Sequence, residues 1–134
     1  MATTTATLTL SSADLTGDAL ALTTITTLSK AGTATGMTET SGGGRKTTAA
    51  TAAYTLFDGN EYSANGAHKV YLKNTSTTTS EFFTVTINAE EMGRLYAGDW
   101  AFLPWGAHDA DNDIKITPSV STTMTLEYML ISQA

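Results

Sequence analysis

The chain has 134 residues, a length that fits one domain with a core large enough to fold without covalent staples. Its formal net charge is −6 and its basic residues are scattered except for Arg45-Lys46, so the composition argues against nucleic acid as a partner. The absence of cysteine excludes disulfides, thiolate nucleophiles and cysteine-based zinc sites, and it is compatible with folding inside a cell.

Threonine is the most abundant residue, with 28 copies. Its β-branched side chain favours a pleated, half-solvated strand over a helix, so the chain is predicted to be mostly β. The first residues lack the charged and apolar regions of a signal peptide, and nowhere do about 18 apolar residues run together. We therefore expect neither a signal peptide nor a membrane span.

The N-terminal part predicts two strands. Residues 1–10 alternate leucine with threonine, which indicates a threonine-rich strand or arm at the edge of a sheet. Residues 19–28 predict a second strand, in which Leu20 and Leu22 keep one parity while Ile25 changes it. That change indicates a bulge, because one extra residue moves the following side chains to the other face. The three-residue spacing also admits a helix, but four threonines disfavour it.

Residues 29–53 are predicted to be a flexible loop rich in glycine and threonine. Such a stretch buries too little apolar surface to offset its conformational entropy, so it is exposed or ordered only against a partner. Its centre, Ser41-Gly42-Gly43-Gly44-Arg45-Lys46, lacks the lysine that directly follows the last glycine of a phosphate-binding loop. We therefore interpret Arg45 and Lys46 as candidate partner-binding cations that meet an acidic neighbour.

The clearest strand patterns lie in residues 68–73 and 83–87, around which the other elements are arranged. In the first segment Val70 and Leu72 alternate with polar positions, and in the second the apolar residues again recur at every other position. The polar run between the two segments, residues 74–80, predicts a long hairpin loop that pairs them.

A short helix is predicted near residues 89–95. Asn88 is suited to the N-cap, and Glu91 stands three residues later, where a capping box places an acidic or amide side chain. Gly93 and Gly98 limit this helix to a turn or two.

The stretch from Trp100 to Trp105 is the densest aromatic segment, and Pro104 confines it to a sheet edge or a strand end. Trp100 and Phe102 share a parity, so we expect both in the core. Trp105 follows the proline and is the candidate exposed anchor for a protein contact.

The remaining apolar patterns predict short strands at residues 54–57 and 114–116 and a longer one at residues 123–131. The count reaches about eight strands with short irregular links, which is typical of a sandwich or jelly roll. We therefore predict an all-β fold, a single antiparallel β-sandwich or jelly-roll-like domain over residues 1–134.

Asp109, Asp111 and Asp113 alternate as in the first half of a calcium-binding loop. An EF-hand is excluded because Ile114 and Val120 stand where that loop needs glycine and glutamate. We interpret the three residues as a solvated acidic turn. A calcium site of looser geometry is the alternative. No other cofactor is expected.

The residues that usually carry catalysis are sparse and poorly arranged. His68 and His108 are the two imidazoles, and no serine occupies a G-x-S-x-G turn, so a triad is not indicated. We expect His68 to cap a strand and His108 to lie in a solvated loop. Glu90 and Glu91 are adjacent and point apart on a helix, which disfavours a glycosidase pair. We expect no enzymatic activity.

Four segments of the C-terminal half together resemble a pattern found in small virion structural proteins of tailed bacteriophages. The pattern has a "y-l-k-N" strand, a paired strand, a "G-[DE]-x-a-f-[IL]-P" turn and a closing "[VL]-E-Y" strand. The matching segments are Val70-Tyr71-Leu72-Lys73-Asn74-Thr75-Ser76, Phe83-Thr84-Val85, Arg94 to Trp105, and Leu126-Glu127-Tyr128-Met129-Leu130.

This resemblance implies a β-sandwich with a structural role as a capsid decoration or cement protein, and it offers no catalytic residue to carry over. The implied location is the virion, assembled in the host cytoplasm, and the implied partners are the major capsid protein or other virion proteins. We also expect a homo-oligomer, a trimer in preference to a dimer, with no nucleic acid and no membrane bound. The alternative is a carbohydrate-binding or fibre domain that recognises a host glycan through Trp105 and the acidic turn.

Overall fold

The computed structural model describes residues 3–15 and 17–133, and the chain divides into two compact units, residues 1–38 and 39–134. Strands dominate both units, and the described helical elements are two short 3-10 turns, Gly59–Glu61 and Ala110–Asn112. The predicted all-β class with antiparallel sheets is therefore confirmed.

The first unit is an antiparallel hairpin of β1 (Thr4–Ser12) and β2 (Leu20–Leu28). The expected N-terminal strand is thus present, although the first two of residues 1–10 lie outside the described residues. Nine consecutive residue pairs join the two strands without a register shift. The bulge predicted from Ile25 is wrong, because Ile25 lies on the threonine-bearing face while Leu20, Leu22 and Leu28 keep one parity.

The second unit contains nine strands within the residues that the structure describes. They are β3 (Glu39–Thr40), β4 (Gly44–Thr48), β5 (Tyr54–Phe57), β6 (His68–Asn74), β7 (Phe82–Ile87), β8 (Glu90–Tyr96), β9 (Trp100–Trp105), β10 (Ile114–Pro118) and β11 (Met124–Ser132).

These strands form two antiparallel sheets that share one hydrophobic core, as expected for a sandwich. One sheet has the order β5-β10-β7-β8, and the other has the order β3-β11-β6-β9 with β4 also paired to β11. The core draws side chains from both sheets, among them Val70, Leu72, Phe83, Ile116 and Leu126. Alternate residues of β6 and β10 are buried, which is the period-two pattern that a half-buried strand requires.

Strands β6 and β7 match the two clearest sequence patterns, but they do not form the predicted hairpin. β6 pairs with β9 and β11, whereas β7 pairs with β8 and β10. Residues 75–81 therefore carry the chain from one sheet to the other. Both strands still turn their apolar side toward the common core. The prediction of two strands is therefore confirmed, and the prediction that they pair with each other is wrong.

Asn74 joins the two sheets where β6 ends. Its side chain is fully buried, and its Nδ2 donates to the carbonyl oxygens of Leu95 at 3.0 Å and Glu81 at 3.2 Å. Its Oδ1 accepts from the backbone N–H of Ser76 at 2.9 Å. Because Leu95 belongs to β8, this amide connects a strand of one sheet with a strand of the other.

The helix predicted near residues 89–95 is wrong, because this stretch forms β8. Asn88 and Ala89 have φ values of 54° and 59°, and positive φ at both central residues is the signature of a type I′ hairpin turn. Asparagine favours this turn as well as a helix N-cap, so the same residue supported both interpretations. β8 pairs with β7 through a bulge that leaves Met92 as the additional residue.

The second half of residues 29–53, predicted as a flexible loop, holds β3 and β4. Both strands pair with the same edge of β11, and Ser41 to Gly43 links them. Ser41 donates its backbone N–H to the Leu130 carbonyl at 3.0 Å, and its Oγ accepts from the Leu130 N–H at 2.9 Å. Backbone hydrogen bonds to β11, which composition does not reveal, therefore order this stretch.

Candidate functional site

The candidate site is the outer face of the five-stranded sheet, and the burial of β9 defines it. Trp100 is 53% exposed and Phe102 is 39% exposed, whereas Trp105 is only 3% exposed. The expectation that Trp100 and Phe102 lie in the core and that Trp105 is an exposed anchor is therefore wrong. Both parities of β9 are apolar, so alternation alone did not determine which one faces inward.

Trp105 is a core residue. Its indole N–H donates to the Asn112 carbonyl at 2.8 Å, and its ring lies 5.4 to 6.0 Å from those of Phe57, Tyr62 and His68. Pro104 does not end the strand. It occupies the exposed parity of β9, which is an edge strand of the sheet, so the missing N–H disrupts no ladder there.

Four side chains form what we call the aromatic face: Tyr71, Trp100, Phe102 and Met129. Tyr71 of β6 lies directly between Met129 of β11 and Phe102 of β9, and Trp100 belongs to the neighbouring row opposite Lys73. Directly opposed residues of adjacent strands have Cβ atoms about 4.5–5.5 Å apart. The three strands therefore place the four side chains side by side on a rigid sheet.

Charged groups border the aromatic face. Arg45 on β4 forms an ion pair with Glu127 at 3.2 Å, and the Tyr71 hydroxyl donates to the other Glu127 carboxylate oxygen at 3.4 Å. Burial raises the pKa of Tyr71, and the negative charge of Glu127 and its hydrogen bond raise that pKa further. Lys73 lies opposite both Glu127 and Trp100.

Arg45 meets an acidic neighbour, as predicted, but Lys46 does not share its environment. The Lys46 ammonium lies 5.5 Å from the centroid of the Tyr54 ring, a cation–π arrangement. Consecutive residues of a strand point to opposite faces, so these two cations are not one patch. The structure does not bring Arg45, Lys46 and Trp105 together.

A shallow open depression of about 350 Å³ adjoins Tyr71. Gly43 and Gly44 line it together with Glu127 and Met129, and a Cβ on Gly43 would lie 3.9 Å from the Met129 methyl carbon. A Cβ on Gly44 would come within 2.7 Å of the Tyr128 ring, so a larger residue there would require that ring to move. The depression and the aromatic face together give a flat surface with one recess.

Two of the three aspartates proposed for calcium, Asp109 and Asp113, have separate structural roles. Asp109 Oδ1 accepts from the backbone N–H of Asp111 at 3.0 Å and caps the short turn that follows. Asp113 Oδ1 accepts from the Gly59 N–H at 2.9 Å, and its Oδ2 lies 3.8 Å from the Lys115 ammonium. Across the described part of the chain, no three histidine, cysteine, aspartate or glutamate side chains are grouped to hold a metal.

His68 is held in one orientation by backbone groups. Its Nδ1 accepts from the Gln133 N–H at 3.1 Å, so its Nε2 carries the proton and donates to the Ser63 carbonyl at 2.9 Å. This buried imidazole ties the start of β6 to two neighbouring segments. His108 is exposed and lies 3.8 Å from the Asp109 carboxylate.

Comparisons with known proteins identify no relative: no family model, curated protein or solved structure matches this chain. Among the described residues, no helix has the length and apolar character needed to cross a membrane.

Proposed function

We propose that this chain is a non-enzymatic structural protein of a virion, a decoration or cement protein that binds the outer capsid shell and adds contacts between shell subunits. The observation that carries the proposal is the aromatic face, with Trp100 and Phe102 exposed on a rigid sheet. Aromatic residues, methionine and arginine are the side chains enriched at the centres of protein interfaces. A surface of this kind works by binding.

The resemblance to phage virion proteins involves the same strands. The "y-l-k-N" segment is β6, the "G-[DE]-x-a-f-[IL]-P" segment contains β9, and the "[VL]-E-Y" segment lies in β11. Tyr71, Phe102 and Glu127 are thus members both of the pattern and of the surface described above. This coincidence supports a docking role for the outer face of the five-stranded sheet.

Charge supports one orientation of docking. Lys73 and Arg45 flank Glu127 on this face, and Lys69 lies on the same face opposite Ile131, although the whole chain carries a formal charge of −6. Complementary potentials orient an encounter and suppress wrong approaches more than they add affinity. An acidic region of the capsid protein is therefore the complementary partner that we propose for this face.

The test is co-sedimentation of the purified protein with shells of the parent virion that lack it. Trp100→Ala and Phe102→Ala are each expected to weaken binding by about 30-fold or more, the loss typical of truncating a central interface residue. Met92→Ala is the matched control, because Met92 is an exposed apolar side chain too but lies on β8 of the other sheet. Unchanged binding of Trp100→Ala, or no binding of the unmodified chain at micromolar concentration, would contradict the proposal.

The exposed rings also favour a second candidate, a carbohydrate-binding or fibre domain. Trp100, Phe102 and Tyr71 offer flat ring faces, and Glu127 and Lys73 offer hydrogen-bonding groups beside them. Trp105 is buried and cannot contact a glycan, so the aromatic face is the glycan site that this alternative requires. A glycan array probed with the unmodified chain and with Trp100→Ala separates the two functions, because only the second predicts a signal that the substitution removes.

A further inference from the structure

The hairpin of the first unit has an apolar face that is exposed to solvent. The register places Ala6, Leu8, Leu10, Leu20 and Leu22 on one side, which we call the leucine face. The same side carries Thr4, Thr24 and Thr26 and the buried Leu28 toward the other end of the hairpin. Leu8, Leu10 and Leu22 are 36%, 46% and 43% exposed. The opposite side carries five threonines and the exposed Ile25. An isolated two-stranded hairpin is marginally stable in water, so this face needs a cover.

Both edges of the hairpin are also open. Among the residues that the structure describes, β1 and β2 pair only with each other, and each is nine residues long with no proline and no charged residue. Edge strands are ordinarily protected by proline, charge or a bulge. The sandwich uses all three devices, with Pro104 on β9 and with Glu90, Glu91 and the bulge at Met92 on β8. The unprotected edges of the hairpin are therefore suited to pairing with another strand.

The partner that fits these edges is the same hairpin in another copy of the chain. Its strands have the same length, and β2 of one copy placed beside β1 of the next gives the antiparallel direction already found within the hairpin. Charge agrees with this choice. Each copy has a formal charge of −6, but the two strands have none, so their contact brings no like charges together. A strongly charged partner would gain no attraction there.

We propose that three hairpins join edge to edge into a closed ring of six antiparallel strands, with the leucine faces inside and the opposite faces, which carry most of the threonines, outside. Two copies joined at one edge would leave two edges and the leucine faces uncovered. Closure is the arrangement that removes every edge, and three is the smallest number of hairpins that we expect to close around the leucines. Each junction of nine residues supplies roughly one backbone hydrogen bond per residue.

This inference alters the expected role of the N-terminal residues. The sequence predicts a threonine-rich strand or arm at the edge of a sheet, but β1 is already paired with β2. The segment that pairs with another copy of the chain is therefore the whole hairpin. Self-assembly through this unit is independent of the docking face proposed on the sandwich, because each uses different residues.

The experiment is sedimentation equilibrium of the full chain at micromolar concentration, with two charge variants on neighbouring residues. We expect the unmodified chain to sediment at three times its 14.1 kDa mass. Leu10→Asp puts a carboxylate on the leucine face and is expected to raise the concentration at which trimers form about a hundredfold or more, because the ring would bury three unpaired charges. Thr9→Asp adds the same charge on the opposite face and is expected to leave the trimer intact.

Tryptophan emission distinguishes a lost ring from a lost fold. Both tryptophans, Trp100 and Trp105, belong to the sandwich, so an unchanged spectrum of Leu10→Asp shows that the second unit is still folded. A monomeric or dimeric unmodified chain would overturn the proposal. So would a trimer that persists in Leu10→Asp or one that Thr9→Asp dissociates equally well. None of these outcomes bears on shell binding through the aromatic face, which is measured separately.

Discussion

Replacing Asn74 with alanine should lower the free energy of unfolding of the sandwich by more than the net contribution of one side-chain hydrogen bond. The substitution removes the two bonds donated to Leu95 and Glu81 and the one accepted from Ser76. A typical bond contributes about 1 kcal/mol net, but a buried group left without its partner costs about 1–3 kcal/mol. The Leu95 bond is buried and takes the larger cost, whereas the other two bonds are part-buried and water can replace them in part.

The expected loss is therefore about 3–4 kcal/mol in the free energy of unfolding. Urea denaturation followed by tryptophan emission measures it, because Trp105 is in the core. Asn74→Asp keeps the acceptor for Ser76 but replaces both donated bonds with a buried charge, so it should destabilise at least as much. Thr77→Ala, in the exposed part of the same loop, should change stability by less than about 0.5 kcal/mol. A loss below about 1 kcal/mol in Asn74→Ala, or a well-tolerated Asn74→Asp, would refute the view that this amide connects the sheets.

Three further predictions concern single side chains. The buried Tyr54 hydroxyl has no hydrogen-bond partner among the described residues, so Tyr54→Phe should leave stability unchanged or raise it by up to about 1 kcal/mol at pH 7, measured by urea denaturation. Burial, followed by the nearby Tyr128, raises the pKa of Tyr54 to about 12, so between about pH 10 and 12 the hydroxyl ionises in the unfolded chain but not in the folded one, and stability should fall across that range and not below it. Tyr54→Phe should flatten that alkaline loss of stability, and an unchanged profile would contradict it. Ala89→Gly should stabilise by roughly 0.5–1 kcal/mol, because Ala89 has a positive φ that glycine adopts without strain; a thermal melt showing a lower Tm would count against the turn. Trp105→Ala should cost about 3–5 kcal/mol in a urea titration and Trp100→Ala less than about 1 kcal/mol, and the reverse order would mean that the faces of β9 are assigned the wrong way round.

Sequence alternation identified strands where only one face is apolar. In β6 the polar residues Lys69 and Lys73 leave Val70 and Leu72 as the single possible inner set, and β11 behaves similarly. In β9 both faces carry large apolar groups, so the pattern has no unique solution. The register with β6 places Phe102 beside Tyr71 and so determines which face of β9 points inward. That register is a long-range property of the fold.

Strand partners were harder to predict than strands. The candidate site combines Tyr71, Phe102 and Met129, which come from three strands far apart in the sequence, and no local motif connects them. β4 was missed because its order comes from backbone pairing with β11 and not from its own side chains. The turn at Asn88 was misassigned because asparagine serves both helix caps and type I′ turns.

The position of β11 in the five-stranded sheet has a consequence for how the chain acquires its structure during synthesis. β11 is the last of the eleven described strands in chain order, yet it pairs with β3, β4 and β6. While a ribosome is still making residues 124–132, the earlier strands of that sheet lack their common neighbour, and the apolar side of β6 is covered incompletely.

The hairpin of β1 and β2, in contrast, needs only a short connection, and both of its strands are available as soon as residue 28 has emerged. Contacts between distant segments close slowly because loop-closure entropy is lost before they stabilise the chain. The nascent protein should therefore pass through a stage in which the hairpin strands have their partners but the sandwich does not, and ribosome-stalled chains ending before and after β11 should differ sharply in resistance to protease.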